Sequence, residues 1–433
     1  MLTIFLLIAL LIWSIILVNY LIKKPEFMII ILCINYIKFV LVFTFKADTD
    51  FLLLNILGIA VYFNDVISLL MLMVILIDTI NSIKFKKIKF NISIINISLY
   101  IFLVMIFISF IRGIYVYGFN SNFVGDLRTF GSFLICLLYC KKYSSNILNS
   151  SITKKLFRFT MNVTLIYTYF IWGLDIFGGM KNLPGQLNGI LSDGGSSFRF
   201  LHPYLVIILA IYTCYLLYYD LLISYKRRIS LKTLIYIFTI IIFQQRTVWI
   251  AFFLGVIICL TIYMKNRKDV SIVLNLQIVI LIILFYISFK FTENNTHTLL
   301  GNLESLKNIF NNTGTYNTRT SVWINLLENL RGIDSVIGQP FGAGYTGTIN
   351  WQHSPHNTYV QCIMRCGYLG FFMFFITLIT IIKGSLKKQE YFIATAVATL
   401  LVFWWGYGFS IDQGVILGCA IGVLEEGIKI NDK

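Results

Sequence analysis

The stretch "HSPHNTYVQCIMRCGYLG", residues 353–370, sets His353 and His356 three residues apart, directly before a long apolar run that begins at Tyr359. Imidazole at the edge of an apolar region suits proton transfer, because the neutral ring can accept a proton from a hydroxyl and orient it at the same time. Groups that would complement such a base lie elsewhere in the chain. Arg112, Arg128, Arg199, Arg246 and Arg319 fall in the polar breaks between apolar runs. A guanidinium is planar and permanently charged, and its fork matches phosphate oxygens better than an ammonium does. Arginines at outer helix ends call for an anionic partner, and phosphate oxygens suit their fork. The plainer readings are that His356 caps the helix starting near Asn357, and that each arginine snorkels to lipid headgroups or pairs with an acid such as Asp126 or Asp193. His353 reads as a supporting or exposed residue and His202, which precedes Pro203, as an interface residue; His297, in a polar stretch, is given no role.

These side chains must be positioned by membrane helices. The 433 residues are 58% hydrophobic and only 12% charged, with a mean hydropathy of +0.82. Apolar runs of about 18 residues or more recur along the chain, enough to cross a bilayer. The expected fold class is an all-α polytopic membrane protein, read as a single integral-membrane domain over 1–433. Candidate spans are 2–22, 27–45, 65–83, 92–111, 127–142, 156–176, 201–222, 230–245, 247–264, 271–290, 357–382, 391–408 and 411–426, about 12–14 transmembrane helices in all. Residues 51–64, broken by Asn55, Gly58 and Asn64, and the glycine-rich last segment are the weak points. The first segment, Met1 to Tyr20, has no basic residue before it and no small-residue cleavage site, so it reads as a retained helix.

The net charge of +16 is distributed in a way that excludes nucleic acid as a partner. Lysines and arginines form short clusters between apolar runs: Lys23/Lys24, Lys84 to Lys89, Lys141/Lys142 with Lys154/Lys155, Lys226 to Arg228, Lys265 to Lys268, and Lys383 to Lys388. They fall at alternate loops, as the positive-inside rule requires of a cytoplasmic side. The intervening loops then face outward, and they hold the five arginines and the His353/His356 pair. Outward charge beside a helix end calls for an anionic partner. Arg246 makes the point most sharply, because "IIFQQRTVWIAFFLGV" leaves it almost no loop. The eight cysteines lie in apolar runs and read as free, packed thiols. Cys136/Cys140 and Cys362/Cys366 have an i,i+4 spacing but no third ligand nearby, so neither a metal nor any other cofactor is expected.

Residues 291–355 form a loop too long for a simple connection. Within it, "NTRTSVWINLLENLRG" aligns Val322, Trp323, Leu326, Leu327 and Leu330 on one stripe, predicting an amphipathic helix on the outer membrane surface with Trp323 at the interface and Arg319 over the cavity. Asn317 or Thr318 would cap it and Gly332 would stop it. "GQPFGAGYTG" follows; it lacks the lysine and hydroxyl residue of a phosphate-binding loop, and it reads as a flexible lid.

From His356 the order is His, Asn357, nine residues, Gly367, two residues, Gly370. This resembles the signature shared by O-antigen ligases and Wzy-type O-antigen polymerases, in spacing, in residue type and in its place after a large outer loop. The Arg319-to-Trp323 spacing, the glycine-rich stretch and the arginines at 128, 199 and 246 are similar to the family's pattern as well. The resemblance implies a glycosyltransferase of the GT-C type in the cell inner membrane, with residues 291–355 as a periplasmic loop and the active site facing the periplasm. It would move a glycan from undecaprenyl diphosphate to an acceptor hydroxyl without a metal. His356 would then be the catalytic base or acceptor-orienting group and Asn357 its neighbour. Arg128, Arg199, Arg246 and Arg319, joined by Arg112, would form the diphosphate clamp. The resemblance leaves room for a chain-length regulator as a partner alongside membrane lipids. Repeat-unit polymerisation is the leading expectation, ligation to lipid A core the alternative, and a lipid-linked oligosaccharide flippase, which would show internal repeats and mid-span charges, a third.

Overall fold

The computed structural model describes residues 16–43, 52–56, 59–84, 93–176, 201–224, 228–243, 245–266, 277, 315–345 and 355–426. The first predicted span for the most part, the span at 271–290, Arg199, His297 and His353 lie outside the described residues. Helices dominate: α1 (Glu26–Phe43), α2 (Phe63–Lys84), α3 (Ile94–Tyr117), α4 (Ser121–Lys142), α5 (Ser144–Asn149), α6 (Ser151–Ile176), α7 (Pro203–Ile223), α8 (Leu231–Ile242), α9 (Arg246–Asn266), α10 (Thr315–Glu328), α11 (Ile333–Ile337), α12 (Thr358–Lys387), α13 (Tyr391–Phe403) and α14 (Ile411–Glu426). Six of them, α2, α3, α4, α7, α9 and α12, are long and apolar enough to cross a membrane. The protein is an all-α polytopic membrane protein.

Three local expectations are corrected. Within the weak stretch 51–64, β1 (Leu52–Ile56) pairs antiparallel with β2 (Ile59–Tyr62), and α2 begins at Phe63. Helix α8 stops at Ile242 and α13 at Phe403, so neither reaches the roughly 20 residues that a full crossing needs.

One end of the bundle is drawn together by lysine. Lys142 pairs with Asp78 at 2.8 Å, and the Tyr143 hydroxyl donates to the same carboxylate at 2.7 Å. Lys141 reaches Glu425 at 3.3 Å and also donates to the Asn96 side chain. Lys388 donates to the Leu424 carbonyl, and the Tyr139 hydroxyl to that of Pro25 at 2.8 Å. The start of α3, the ends of α2, α4, α12 and α14, and the turn before α1 therefore share this face. The starts of α7, α9 and α12 lie at the other, which holds no lysine cluster.

Between the faces the core is aromatic: Phe133 stacks on Phe409 at 4.1 Å, and Phe374 lies 5.6 Å from both Phe409 and Trp404. Lipid tails are as apolar as such rings, so close packing rather than water exclusion holds this layer. Polar side chains inside the helices satisfy themselves locally, as Thr160 and Thr164 do on carbonyls four residues back, or across helices, as Ser98 and Thr377 do at 2.8 Å. All eight cysteines are free thiols, seven of them buried.

Candidate functional site

His356 occupies the last turn before α12 with φ +49°, a left-handed conformation that costs a side-chain-bearing residue free energy and marks functional positions when the surroundings enforce it. The enforcement is visible on both sides. Trp323 of α10 donates through Nε1 to the Pro355 carbonyl at 2.7 Å. Asn357, 2% exposed, caps α12, its Oδ1 accepting from the backbone N–H of Tyr359 at 2.9 Å and of Val360 at 3.1 Å. The capping role that sequence reasoning offered to His356 thus falls to Asn357, leaving the half-buried imidazole outside the helix.

The predicted amphipathic helix exists, but its apolar stripe packs on protein. Trp323 is 7% exposed and clusters with Leu326, Leu330, Tyr345, Val360, Ile363 and Met364. Expecting Trp323 at the lipid interface was an error with a clear cause: an apolar stripe does not say whether lipid or another helix will cover it. Arg319 stands one turn before Trp323 on the same helix face, half-buried at the end of the bundle that carries His356.

A short linker, residues 404–410, joins the helix starts around this site. The Thr358 N–H donates to the carbonyls of Trp404 at 3.0 Å and Tyr407 at 3.1 Å, and its hydroxyl to Tyr407 at 2.8 Å. Gly406 lies against Thr247 in the first turn of α9, beside Arg246, whose backbone opens that helix. Trp405 meets Trp323 edge-on at 5.9 Å. Tyr407 meets Tyr204 of α7 at 6.0 Å. Four helices thus converge on one linker, and nothing in its own sequence announces this.

His202, read from sequence as an interface residue, is one of the convergent groups. Its Nδ1 accepts from the Tyr204 N–H at 3.3 Å, capping α7, and its ring lies 4.6 Å from Tyr204 and 6.0 Å from Phe39. Burial, reinforced by the neighbouring charge of His356, lowers its pKa to about 4. His202 is therefore neutral at pH 7 and lies within electrostatic reach of His356. Gln245 donates to the Leu201 carbonyl at 2.6 Å, and its own buried Oε1 finds no donor among the described residues.

The other arginines are placed differently. Arg112 donates to Asp334 and to the Gly338 carbonyl, both at 2.7 Å. Arg128 sits in a π-helical turn of α4, pairs with Asp65 at 3.0 Å, donates to the Ala60 carbonyl of β2, and lies 4.6 Å over the Tyr62 ring. The structure thus gives both arginines acidic partners, Asp334 and Asp65, which sequence reasoning did not name.

Sequence reasoning missed Arg365 altogether. It lies inside α12, fully buried, 2.9 Å from Asp126. It also donates to the Gly344 carbonyl at 2.9 Å and lies 4.4 Å over Tyr345. Asp126 in turn accepts from the Gly342 N–H at 3.0 Å. A charge within an otherwise apolar stretch was the available signal. The pair clamps residues 338–345, so the expected flexible lid is instead a packed wedge: Phe341 is 1% exposed, its N–H donates to the Ser109 carbonyl at 3.1 Å, and Gln339 N–H donates to that of Met364 at 2.7 Å. The signature glycine Gly367 makes the fit possible. With φ +65° and ψ 179° it breaks α12 into two segments, and a Cβ there would stand 2.1 Å from the Val336 carbonyl oxygen.

A family model described as O-antigen ligase matches residues 231–375. The match spans about a third of the chain and supports the O-antigen ligase and Wzy-type superfamily. No curated protein and no solved structure matches the chain. The matched region runs from α8 through the kink of α12, so it contains Arg246, Arg319, His356, Asn357, Arg365 and both signature glycines, Gly367 and Gly370. Arg112, Arg128, Arg199 and His202 come from the helices before it. Members of this family are glycosyltransferase-like enzymes of the membrane.

Proposed function

We propose that the protein transfers a glycan from an undecaprenyl-diphosphate donor to an acceptor hydroxyl, joining repeat units of a surface polysaccharide on the periplasmic face of the inner membrane. The observation that carries this reading is His356, held in a strained left-handed turn by Trp323 and Asn357 while a neutral second histidine stands near it. By the positive-inside rule the end opposite the lysine clusters is the outward one, which supports a site at His356 on the side where lipid-linked glycans are joined.

In this mechanism the acceptor oxygen attacks the anomeric carbon as the bond from that carbon to the diphosphate oxygen breaks, and the electron pair leaves on the diphosphate. His356 takes the acceptor proton. Arg246 and Arg319, with Arg199, stabilise the charge that builds on the leaving diphosphate, more strongly in the transition state than before it. His202, neutral at working pH, orients the acceptor or His356 rather than adding charge. A diphosphate oxygen would have to displace Asp334 from Arg112 or Asp65 from Arg128, so we assign those two arginines to holding the wedge and the hairpin.

Ligation to lipid A core is the second reading, favoured by the description of the matching family. Purified protein supplied with undecaprenyl-diphosphate repeat units separates the two: a ladder without core acceptor means polymerase, and product only with core acceptor means ligase. His356→Ala is expected to abolish either product at normal membrane abundance, and normal product from that variant would remove the base assignment. Retained activity in Arg246→Lys would replace the bidentate fork with a point charge.

A further inference from the structure

A second candidate site has its polar rim at the lysine-bearing end of the bundle. Helices α1, α6, α7, α13 and α14 enclose a cavity of about 300 Å³ whose walls are almost wholly apolar, among them Leu32, Phe157, Ile211, Ala396 and Val423. It follows α14 from Asp412 in the first turn to Val423 in the last, about 16 Å at 1.5 Å per residue. An apolar void of this depth does not hold water, whose hydrogen bonds would go unmet there. In a bilayer the species at hand to fill it is a hydrocarbon chain.

The polar groups at one end name the class of lipid. Lys154 and Arg158, a turn apart on α6, line the mouth, with Lys155 exposed beside them. Thr153, only 7% exposed, also lines it, and its buried hydroxyl finds no hydrogen-bond partner among the described residues. Two cations and an unmatched hydroxyl at the rim of a greasy slot form a ligand set for a phosphate attached to a chain. Of the acids near the end of α14, Glu425 pairs with Lys141 and Glu426 accepts from Ser144. Asp412 lies at the far end of the slot, away from the proposed phosphate.

We propose that this crevice binds an anionic phospholipid, with one acyl chain in the slot and its phosphate on Lys154, Arg158 and Thr153. The proposed phosphate position faces the leaflet opposite His356.

The test uses the full-length protein purified in detergent. Bound lipid is counted by native mass spectrometry, and the shift in melting temperature is followed as phosphatidylglycerol, phosphatidylcholine or undecaprenyl phosphate is titrated in. Phosphatidylglycerol is expected to bind more tightly than phosphatidylcholine, and K154Q/R158Q to weaken it about thirtyfold, as loss of two basic contacts predicts. Ala396→Phe, which fills the slot, is expected to abolish binding of both phospholipids. Equal affinity for the two phospholipids, or phosphatidylglycerol binding unchanged in K154Q/R158Q, would overturn the proposal. So would displacement of phosphatidylglycerol by equimolar undecaprenyl phosphate, which would make the crevice a groove for the donor's tail. Should Ala396→Phe fail to fold, the rim variant decides alone, because both of its changes lie on exposed or half-exposed surface.

Discussion

Replacing Gly367 by alanine tests whether the kink in α12 is the device that seats the wedge. The added Cβ would stand 2.1 Å from the Val336 carbonyl oxygen, 2.3 Å from its carbon and 2.6 Å from the Ile337 nitrogen. All three obstacles are backbone, so no side-chain rotation relieves them. The conformation itself, φ +65° with ψ 179°, belongs to a region essentially reserved for glycine, costing about 1–3 kcal/mol for another residue. Forcing α11 away adds an overpacking cost of about 1–3 kcal/mol, giving a total of about 2–6 kcal/mol. The same helix supplies a control. At Gly384 an added Cβ meets only Leu424 side-chain carbons, the nearest at 3.5 Å, so Gly384→Ala is expected to be neutral or slightly stabilising, since alanine favours a helix by about 1 kcal/mol over glycine. Thermal unfolding of both variants in detergent, with membrane abundance and glycan product measured beside it, gives the comparison. If Gly367→Ala melts with the wild type, or no lower than Gly384→Ala, the account of the wedge fails.

Three further outcomes follow from the same geometry. Arg365→Ala leaves Asp126 as a buried, uncompensated carboxylate and should destabilise by about 3–5 kcal/mol; Arg365→Ala with Asp126→Ala should recover part of that loss in thermal melts, and no recovery would argue against a coupled pair. Trp323→Phe keeps the ring but removes the bond to the Pro355 carbonyl; turnover should fall by up to about a hundredfold through displacement of His356, with about 1 kcal/mol lost in stability, and unchanged turnover would sever Trp323 from the site. The pKa of His202 is about 4 in the fold against 6.5 for an ordinary histidine. Between those values the unfolded chain binds the extra proton, so stability is full above about pH 6.5 and falls as pH drops towards 4; melting temperatures of His202→Gln across this range should fall less steeply than those of the wild type.

The sequence was most legible where a single periodicity decides the outcome. Long apolar runs announced the spans, and the stripe from Val322 to Leu330 announced α10, with every member of that stripe in its packed cluster. The stripe did not say what would cover it, because lipid and protein are equally apolar partners. Charges were harder to place. Arg112 and Arg128 were visible as charges at helix ends, but the acids that pair with them, Asp334 and Asp65, are distant in sequence and meet them only once the bundle has closed. Arg365 was passed over because reasoning followed the loops, and the 404–410 linker because its contacts are mostly backbone carbonyls, which no side-chain pattern encodes. The signature around His356 was legible as a spacing. Its physical content, a cap at Asn357 and a break at Gly367, needed the backbone.

The pairing of Asp126 with Arg365 also constrains how the protein is made. Asp126 emerges from the ribosome early, and its partner only after most of the chain has been inserted. Until then its carboxylate must wait among the first helices protonated or hydrated, and the wedge that it anchors has no seat. Closure of the wedge is therefore timed to the late part of synthesis, because Asp126 meets Arg365 only then.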